Sequence, residues 1–370
     1  MAFPYNFFCA TFAGALIITL VSLPFWRRWC VWAKLVDDPG GRKTHDRPMP
    51  LAGGYAVLTG ILVPLAAGAA MLKWGVLKAA FANLIAHGFE RRGLELAAIS
   101  AGAVAITLLG SLDDRHELKP FPKFSGQFLI AVLVAIACKR ITLFVPNLAF
   151  SYVITILWLL AVMNAFNFMD NMNGLCAGLG AIASFLFGLI AAANGEYLVA
   201  LAGFLICGAL VGFLPWNFPR ARSFLGDAGS QLVGYLLAVM AILPHFYTKE
   251  NPRPLAVLSP LLVLAVPLLD LAQVVLTRTL NRKPFWIGDT NHISHRLARA
   301  GLGKTRAVLL IWLFAAAIGA TALLLNSSEP FPPPVHVGPH KIVIGLAQID
   351  NPFNETDQAH DRRQKTAGQQ

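Results

Sequence analysis

The amino-acid sequence predicts an all-α, polytopic integral membrane protein of about ten transmembrane helices, and three observations carry that expectation. Of its 370 residues, 56% are hydrophobic and only 13% charged, whereas average globular domains hold roughly 25% charged residues. Counting the 31 glycines, the apolar-plus-glycine share is about 64%, against a usual ~45–50%, which is more apolar surface than a water-soluble chain of this length can hide. The apolar residues also arrive in runs of the ~20 residues needed to cross a hydrocarbon core.

Ten such runs follow in order, centred on 7–26, 53–72, 94–112, 124–145, 150–168, 175–193, 198–214, 229–246, 255–277 and 307–325. In the first, the positive charges follow the apolar run instead of preceding it, which distinguishes it from a signal peptide. The stretch 76–93 contains Glu90, Arg91 and Arg92, is only moderately apolar, and reads as a loop or interfacial helix. The fourth run is interrupted by Lys139 and Arg140. Residues 1–325 are thus expected to form a ten-helix membrane domain. Residues 326–370 read as a tail with a proline cluster (Pro330, Pro332, Pro333, Pro334), one β-like run from Ile342 to Ile349 and a polar end, a composition that suits disorder.

The net charge of +11 would suggest a nucleic-acid partner in a soluble domain; here the positive-inside bias of cytoplasmic loops accounts for it without one. With the N-terminus outside, the inside loops hold 18 Lys and Arg and the outside loops 8, leaving the tail aside. Ten spans then return the C-terminus to the outside as well. The five cysteines (Cys9, Cys30, Cys138, Cys176, Cys207) lie in or beside apolar runs without a CxxC pair and read as small core residues, not as a disulfide framework or zinc site.

The same orientation places five groups rich in Asp, Asn, His and Gly on the cytoplasmic side: Asp37 to Gly54; Gly110 to Arg115, followed by Lys123 and Gln127; Asn164 to Leu175; Phe224 to Ser230; and Asp289 to Leu297. One shared site at that surface is the economical reading. Asp113 and Asp114 end the third run, where negative charge opposes the helix dipole; the pair is either a solvated terminus or requires a cation or metal. A rotation of 100° per residue sets Asn164, Asn167, Asp170 and Asn171 within an arc of about 120°. Amides in a span are costly unless paired, so this stripe is helix–helix glue or, better, a ligand site. Gly226-Asp227-Ala228-Gly229-Ser230 is either an N-cap turn or an anion-binding helix start. His292 and His295, at i and i+3, are metal ligands, phosphate donors or solvated, and Arg296 beside them favours phosphate. Asp270, the one acid well inside a run, reads as structurally paired with a basic neighbour.

In this order and spacing, the five groups resemble the polyprenyl-phosphate N-acetylhexosamine-1-phosphate transferases of glycosyltransferase family 4, from about Asp37 to Arg306. The resemblance implies the reaction. A polyprenyl phosphate attacks the β-phosphorus of a UDP-N-acetylhexosamine, UMP leaves, and a polyprenyl-diphosphate-sugar remains, at the cytoplasmic face of a bacterial cytoplasmic (inner) membrane. It also implies Mg²⁺, or Mn²⁺ in its place, held by Asp227 with Asn167. Asp113 and Asp114 match the catalytic acids that orient or deprotonate the lipid phosphate. Asp170 and Phe224 match positions that meet the uridine; Lys123, His292, His295 and Arg296 are candidates for the diphosphate; Asn164, Asn173 and Arg47 are further substrate-binding candidates. A homodimer is compatible with the resemblance.

Two positions depart from the family pattern. Many bacterial members read Asp-Gly-x-Asp-Gly where this chain has Asp170-Asn171-Met172-Asn173-Gly174, and His-x-His-His where it has His292-Ile293-Ser294-His295. Arg42-Lys43-Thr44-His45 through Pro48-Met49-Pro50 resembles the N-acetylglucosamine-phosphate branch, which implies UDP-N-acetylglucosamine as donor and undecaprenyl phosphate as acceptor. Within the family, the alternative is the phospho-N-acetylmuramoyl-pentapeptide translocase of peptidoglycan synthesis. Outside it, the alternative is a transporter of a nucleotide-sugar or lipid-linked sugar. Transporters place ionisable residues near the midplane, whereas this chain gathers them at one surface.

Overall fold

A computed structural model describes residues 5–39, 47–75, 79–138, 140–142, 145–244, 246, 253–282, 284 and 291–326, with 79–91 as backbone only. The expected site segments 40–46 and Asp289, and the tail after Asn326, lie outside the described residues. The elements are α1 (Tyr5–Trp32), a minimal antiparallel pair β1 (Val36–Asp37) and β2 (Met49–Pro50), α2 (Gly53–Lys73), α3 (Ala79–His116), α4 (Pro120–Ala137), α5 (Leu148–Met169), α6 (Leu175–Ala193), α7 (Tyr197–Asn217) and α8 (Gly226–Met240). A 3₁₀ turn (Pro254–Leu258) then leads into α9 (Ser259–Val263), followed by α10 (Ala265–Leu280), α11 (Ile293–Leu297), a π turn (Ala298–Leu302) and α12 (Gly303–Leu325).

The all-α membrane architecture is present, with different bookkeeping of spans. Among the described residues, eight helices are long and apolar enough to cross a bilayer, or nine if the bent pair Pro254–Val263 and Ala265–Leu280 is one span. That pair corrects the expected straight run 255–277, because it is bent by 68° around Leu264. The expected run 229–246 is the 15-residue α8. At 1.5 Å per residue it is ~22 Å long, short of a ~30 Å hydrocarbon core. Nearly every residue of α8 is buried by other helices, so it need not match the lipid. The stretch 76–93 is not a separate loop or interfacial helix over its described part, since Ala79 onward is continuous with α3. The fourth run stops at Ala137, ahead of Lys139 and Arg140.

In lipid, apolar burial does not drive helices together, and close packing of small residues takes its place. α8 threads between α2, α3 and α5 on this basis. A Cβ on Gly54 of α2 would lie 2.5 Å from the Gly229 nitrogen, and one on Gly110 of α3 would lie 2.5 Å from the Ala228 backbone. A Cβ on Gly234 would lie 2.7 Å from Met163 Cα in α5. The large apolar side chains left outside, such as Leu129, Leu133 and Ile136 of α4, face outward where lipid is the solvent. All five cysteines are free; Cys30, Cys176 and Cys207 are buried and Cys138 half-buried, but Cys9 is exposed and is not a core residue.

Candidate active site

The site forms where the C-terminal ends of α3 and α5 meet the N-terminal ends of α4 and α8. The chain gathers these ends through loop contacts that bring the first and fourth sequence groups together. The Gly53 and Gly54 N–H groups donate to the carbonyls of Phe224 and Leu225 (3.0 and 3.1 Å), and the Phe224 N–H donates to the Pro50 carbonyl (3.0 Å). Asn217, at the end of α7, accepts from the Gly174 N–H (2.5 Å) and donates to the Ser223 carbonyl (3.0 Å), tying the third group to the fourth. Gly174 starts α6 at φ +77, where a side chain would be strained and would meet the Phe218 ring.

At the centre lies Lys123. Its Nζ forms an ion pair with Asp113 Oδ2 at 2.6 Å and donates to Asn167 Oδ1 at 3.1 Å and Asp227 Oδ2 at 3.3 Å, so one ammonium meets oxygens of three different helices. Asn167 Nδ2 donates in turn to Asp227 Oδ1 (2.5 Å) and Ser230 Oγ (2.9 Å). Asp113 is buried, and its Oδ1 accepts the Leu118 N–H at 3.0 Å. The cation that the Asp113-Asp114 pair required is therefore partly Lys123.

Asp114 has a different environment. Its Oδ1 accepts the Asp227 N–H (2.7 Å) and its Oδ2 the Ala228 N–H (3.0 Å). A side chain from α3 thus caps α8, satisfying amides that no intrahelical carbonyl reaches and meeting the positive end of that helix dipole. Gly226, at φ +74, makes this approach possible, because a Cβ there would lie 2.7 Å from Asp114 Oδ2. The N-cap reading of the Gly226-to-Ser230 turn thus describes its backbone, with the capping carboxylate supplied from α3 by Asp114.

A second cluster adjoins the first across the end of α5. His292 Nδ1 lies 2.6 Å from Asp270 Oδ2, and the Ile293 N–H donates to Asp270 Oδ1 at 2.8 Å. Asp270 is fully buried, and its basic partner is His292. The Phe168 ring packs edge-on to His292 at 5.8 Å, with the Arg278 guanidinium 5.2 Å from its centroid. His295 is 6.3 Å from His292 ring to ring and does not share Asp270. Ser294, where a histidine is common in the resembling family, donates to Asn171 Oδ1 at 2.7 Å. Asp170, just past α5, is half-buried, and burial together with the charges of Asp227 and Asp114 pushes its carboxyl up to about 8.

The remaining expected residues are more dispersed. Asn164 donates to Gln127 Oε1 and the Leu160 carbonyl (both 2.9 Å), one turn away from the Lys123 cluster. Asn173 donates to the Pro219 carbonyl (3.2 Å). Arg296 is exposed on α11, and Arg47 is exposed in the bend before β2. Residues that sequence reasoning passed over include Asn217, Gln231, Phe168 and the Ser230 contact to Asn167. Only the polarity of Asn217 and Gln231 inside apolar runs could have signalled them.

For a divalent cation, the donor set is a good chemical match. Asp113 and Asp227 supply carboxylate oxygens and Asn167 an amide oxygen, and the three already converge on one cationic nitrogen. Among the described residues, no group of three or more His, Cys, Asp or Glu forms a metal cage, and Mg²⁺ characteristically uses only one or two carboxylates together with substrate phosphates.

Residues 96–245 match the family described as Glycosyl transferase family 4. The chain is 34% identical over 324 residues to the decaprenyl-phosphate N-acetylglucosaminephosphotransferase of Mycobacterium tuberculosis, covering 80% of this chain and 76% of the relative. It is 29% identical to the probable undecaprenyl-phosphate N-acetylglucosaminyl 1-phosphate transferase of Bacillus subtilis, over 86% and 84% of the two chains. The undecaprenyl-phosphate alpha-N-acetylglucosaminyl 1-phosphate transferase of Escherichia coli is 26% identical over 85% and 83%.

Proposed function

The chain belongs to glycosyl transferase family 4, and on that footing we propose that it transfers N-acetylglucosamine 1-phosphate from UDP-N-acetylglucosamine to a polyprenyl phosphate, releasing UMP. The observation that carries the reading is the convergence of Asp113, Lys123, Asn167 and Asp227 from four helix ends. The names of the relatives favour N-acetylglucosamine over phospho-N-acetylmuramoyl-pentapeptide. In the reaction, an oxygen of the lipid phosphate forms a bond to the β-phosphorus, and the bond to the UMP oxygen breaks with its electron pair. One phosphoanhydride replaces another, so the step lies close to equilibrium.

Asp227 and Asn167, joined by Asp113, would hold Mg²⁺, which when bound neutralises charge on the transferring phosphoryl group. Lys123, whose Nζ contacts these same oxygens, would give up part of those contacts to the metal and turn its charge toward the incoming phosphate groups. A phosphate monoester is largely dianionic at pH 7, so Asp113 serves to orient the lipid phosphate more than to deprotonate it. Asp114 contributes by fixing the start of α8. Asp170 retains its proton near neutral pH and can donate as well as accept a hydrogen bond at the uracil edge; Phe224, in the loop before α8, is the second uridine candidate. His292 has Nδ1 engaged by Asp270, which leaves Nε2 to meet the donor diphosphate, and His295 and Arg296 extend that basic face.

The excess of Lys and Arg in the loops on the site's side supports a cytoplasmic location in a bacterial inner membrane, with both termini outside. Purified protein in detergent, given Mg²⁺ and undecaprenyl phosphate, is expected to release UMP from UDP-N-acetylglucosamine. Release only from UDP-N-acetylmuramoyl-pentapeptide would move it to the peptidoglycan branch, and release from no UDP-N-acetylhexosamine would refute the transferase reading.

A further inference from the structure

Directly beneath the Lys123 cluster lies a second polar layer. Gln127 Nε2 donates to Gln231 Oε1 at 3.1 Å, and Gln127 Oε1 accepts from Asn164 Nδ2 at 2.9 Å. Gln127 and Gln231 are both fully buried. Each member sits one turn from a member of the upper layer on the same helix: Gln127 four residues after Lys123 on α4, Gln231 four after Asp227 on α8, Asn164 three before Asn167 on α5. The three helices that present Lys123, Asn167 and Asp227 are therefore joined twice, in the same register, by two rungs one helical pitch apart.

We infer that Gln127, Asn164 and Gln231 are positioning residues that hold α4, α5 and α8 in the register needed for the upper cluster to converge; the inference rests on the transferase reading for its catalytic consequence. Three physical points support it. The layer is not needed for packing, since side chains of similar volume without polar atoms would fill the same space. Nor is it free of cost, because Gln231 Nε2 is buried without a hydrogen-bond partner in the structure, and an unsatisfied buried donor is destabilising. A hydrogen-bonded amide has one register in which it is satisfied, and a single buried polar residue can fix register at a cost in stability, whereas the close contact of Gly234 with Met163 carries no directional bond. Lys123 makes three contacts to different helices, and a shift of about an ångström would separate them; misplacement of that size can cost about 100-fold in rate.

The test uses the full-length protein with Gln127→Met, Gln231→Met and the double variant, each checked for monodisperse elution and a melting transition. We expect kcat to fall roughly 10- to 100-fold, with KM for UDP-N-acetylglucosamine within about twofold, and the double variant to be no worse than the poorer single one, as for residues acting as a unit. Restoring a shorter amide at one position (Gln127→Asn) should recover part of kcat. Folded Met variants with wild-type kcat, or losses that multiply in the double variant, would overturn the inference. A second readout does not depend on catalysis: the coupling between Lys123→Met and Asp227→Asn in thermal stability should be lost in the Gln127→Met background. If wild-type protein released no UMP, the transferase reading would fall, and this coupling would decide the positioning role, with unchanged coupling refuting it.

Discussion

Asp113 and Asp114 are adjacent in sequence, yet the structure gives them different work, and Asp114→Ala separates the two roles. Asp114 accepts two backbone N–H groups at 2.7 and 3.0 Å from the first turn of α8. Alanine leaves both without an acceptor in a place where water has little access. Each unsatisfied buried donor costs about 1–3 kcal/mol, and loss of a negative charge at a helix N-terminus adds about 0.3–1 kcal/mol. Against this, the variant no longer buries a carboxylate, which returns part of the loss. The net expectation is a destabilisation of about 2–5 kcal/mol. It should appear as an apparent melting temperature several degrees lower in detergent, together with loss of UMP release through displacement of Asp227. Asp113→Asn keeps an acceptor for the Leu118 N–H and leaves Lys123 paired with Asp227, so it should lose activity with a much smaller change in melting. Thermal unfolding and UMP release measured side by side decide the matter. An inactive Asp114→Ala protein that melts with the wild type would show that Asp114 acts on substrate and that its capping bonds carry little energy.

Lys123→Met should reduce turnover at least ~100-fold, and a cycle with Asp113→Asn should be strongly non-additive, because the two are paired at 2.6 Å; additive effects would rule out the pairing. Gly54→Ala places a Cβ 2.5 Å from the Gly229 backbone nitrogen, a neighbour that cannot rotate away, so a destabilisation of about 1–3 kcal/mol and reduced turnover are expected from a residue that touches no substrate. Asp270→Ala leaves the Ile293 N–H and His292 without their acceptor and should lower the melting temperature; a KM for UDP-N-acetylglucosamine raised beyond that of a stability-matched control would report the loss of His292 orientation. Asp170 gives a pH signature. Its folded-state pKa of about 8 lies above the unfolded value near 3.9, so the folded state binds the proton more tightly, and the stability due to the protonated form is lost as pH rises between about 4 and about 8. Melting of wild type and Asp170→Asn at pH 5.5 and pH 8 should therefore show the wild type losing ground to the variant at the higher pH; parallel behaviour would contradict the shift.

Composition and run length were enough to establish an all-α membrane chain, because bilayer thickness dictates the length of an apolar helix and lipid forbids unpaired backbone. The five polar groups were legible for a related reason: charges and amides so close to a bilayer are expensive unless they have a partner, so their grouping advertises a site. Asp113, Lys123, Asn167 and Asp227 all come from that reading. Periodicity could not decide how each of them is used, since that depends on contacts between different helices, 44 residues apart for Lys123 and Asn167 and 60 for Asn167 and Asp227. The 104-residue separation of Lys123 and Asp227 is bridged only after α8 packs among α2, α3 and α5. The split between Asp113 and Asp114 follows from which side of α3 faces the start of α8. Asn164 looked like part of the ligand stripe because it shares a helix face with Asn167, but depth along the helix, which a helical wheel discards, places it in the Gln127 layer. The shortness of α8 and the bend at Leu264 escaped the run-length reading because both segments remain apolar. Hydropathy records what a segment can tolerate around it, whereas the tertiary contacts decide whether lipid or another helix is there.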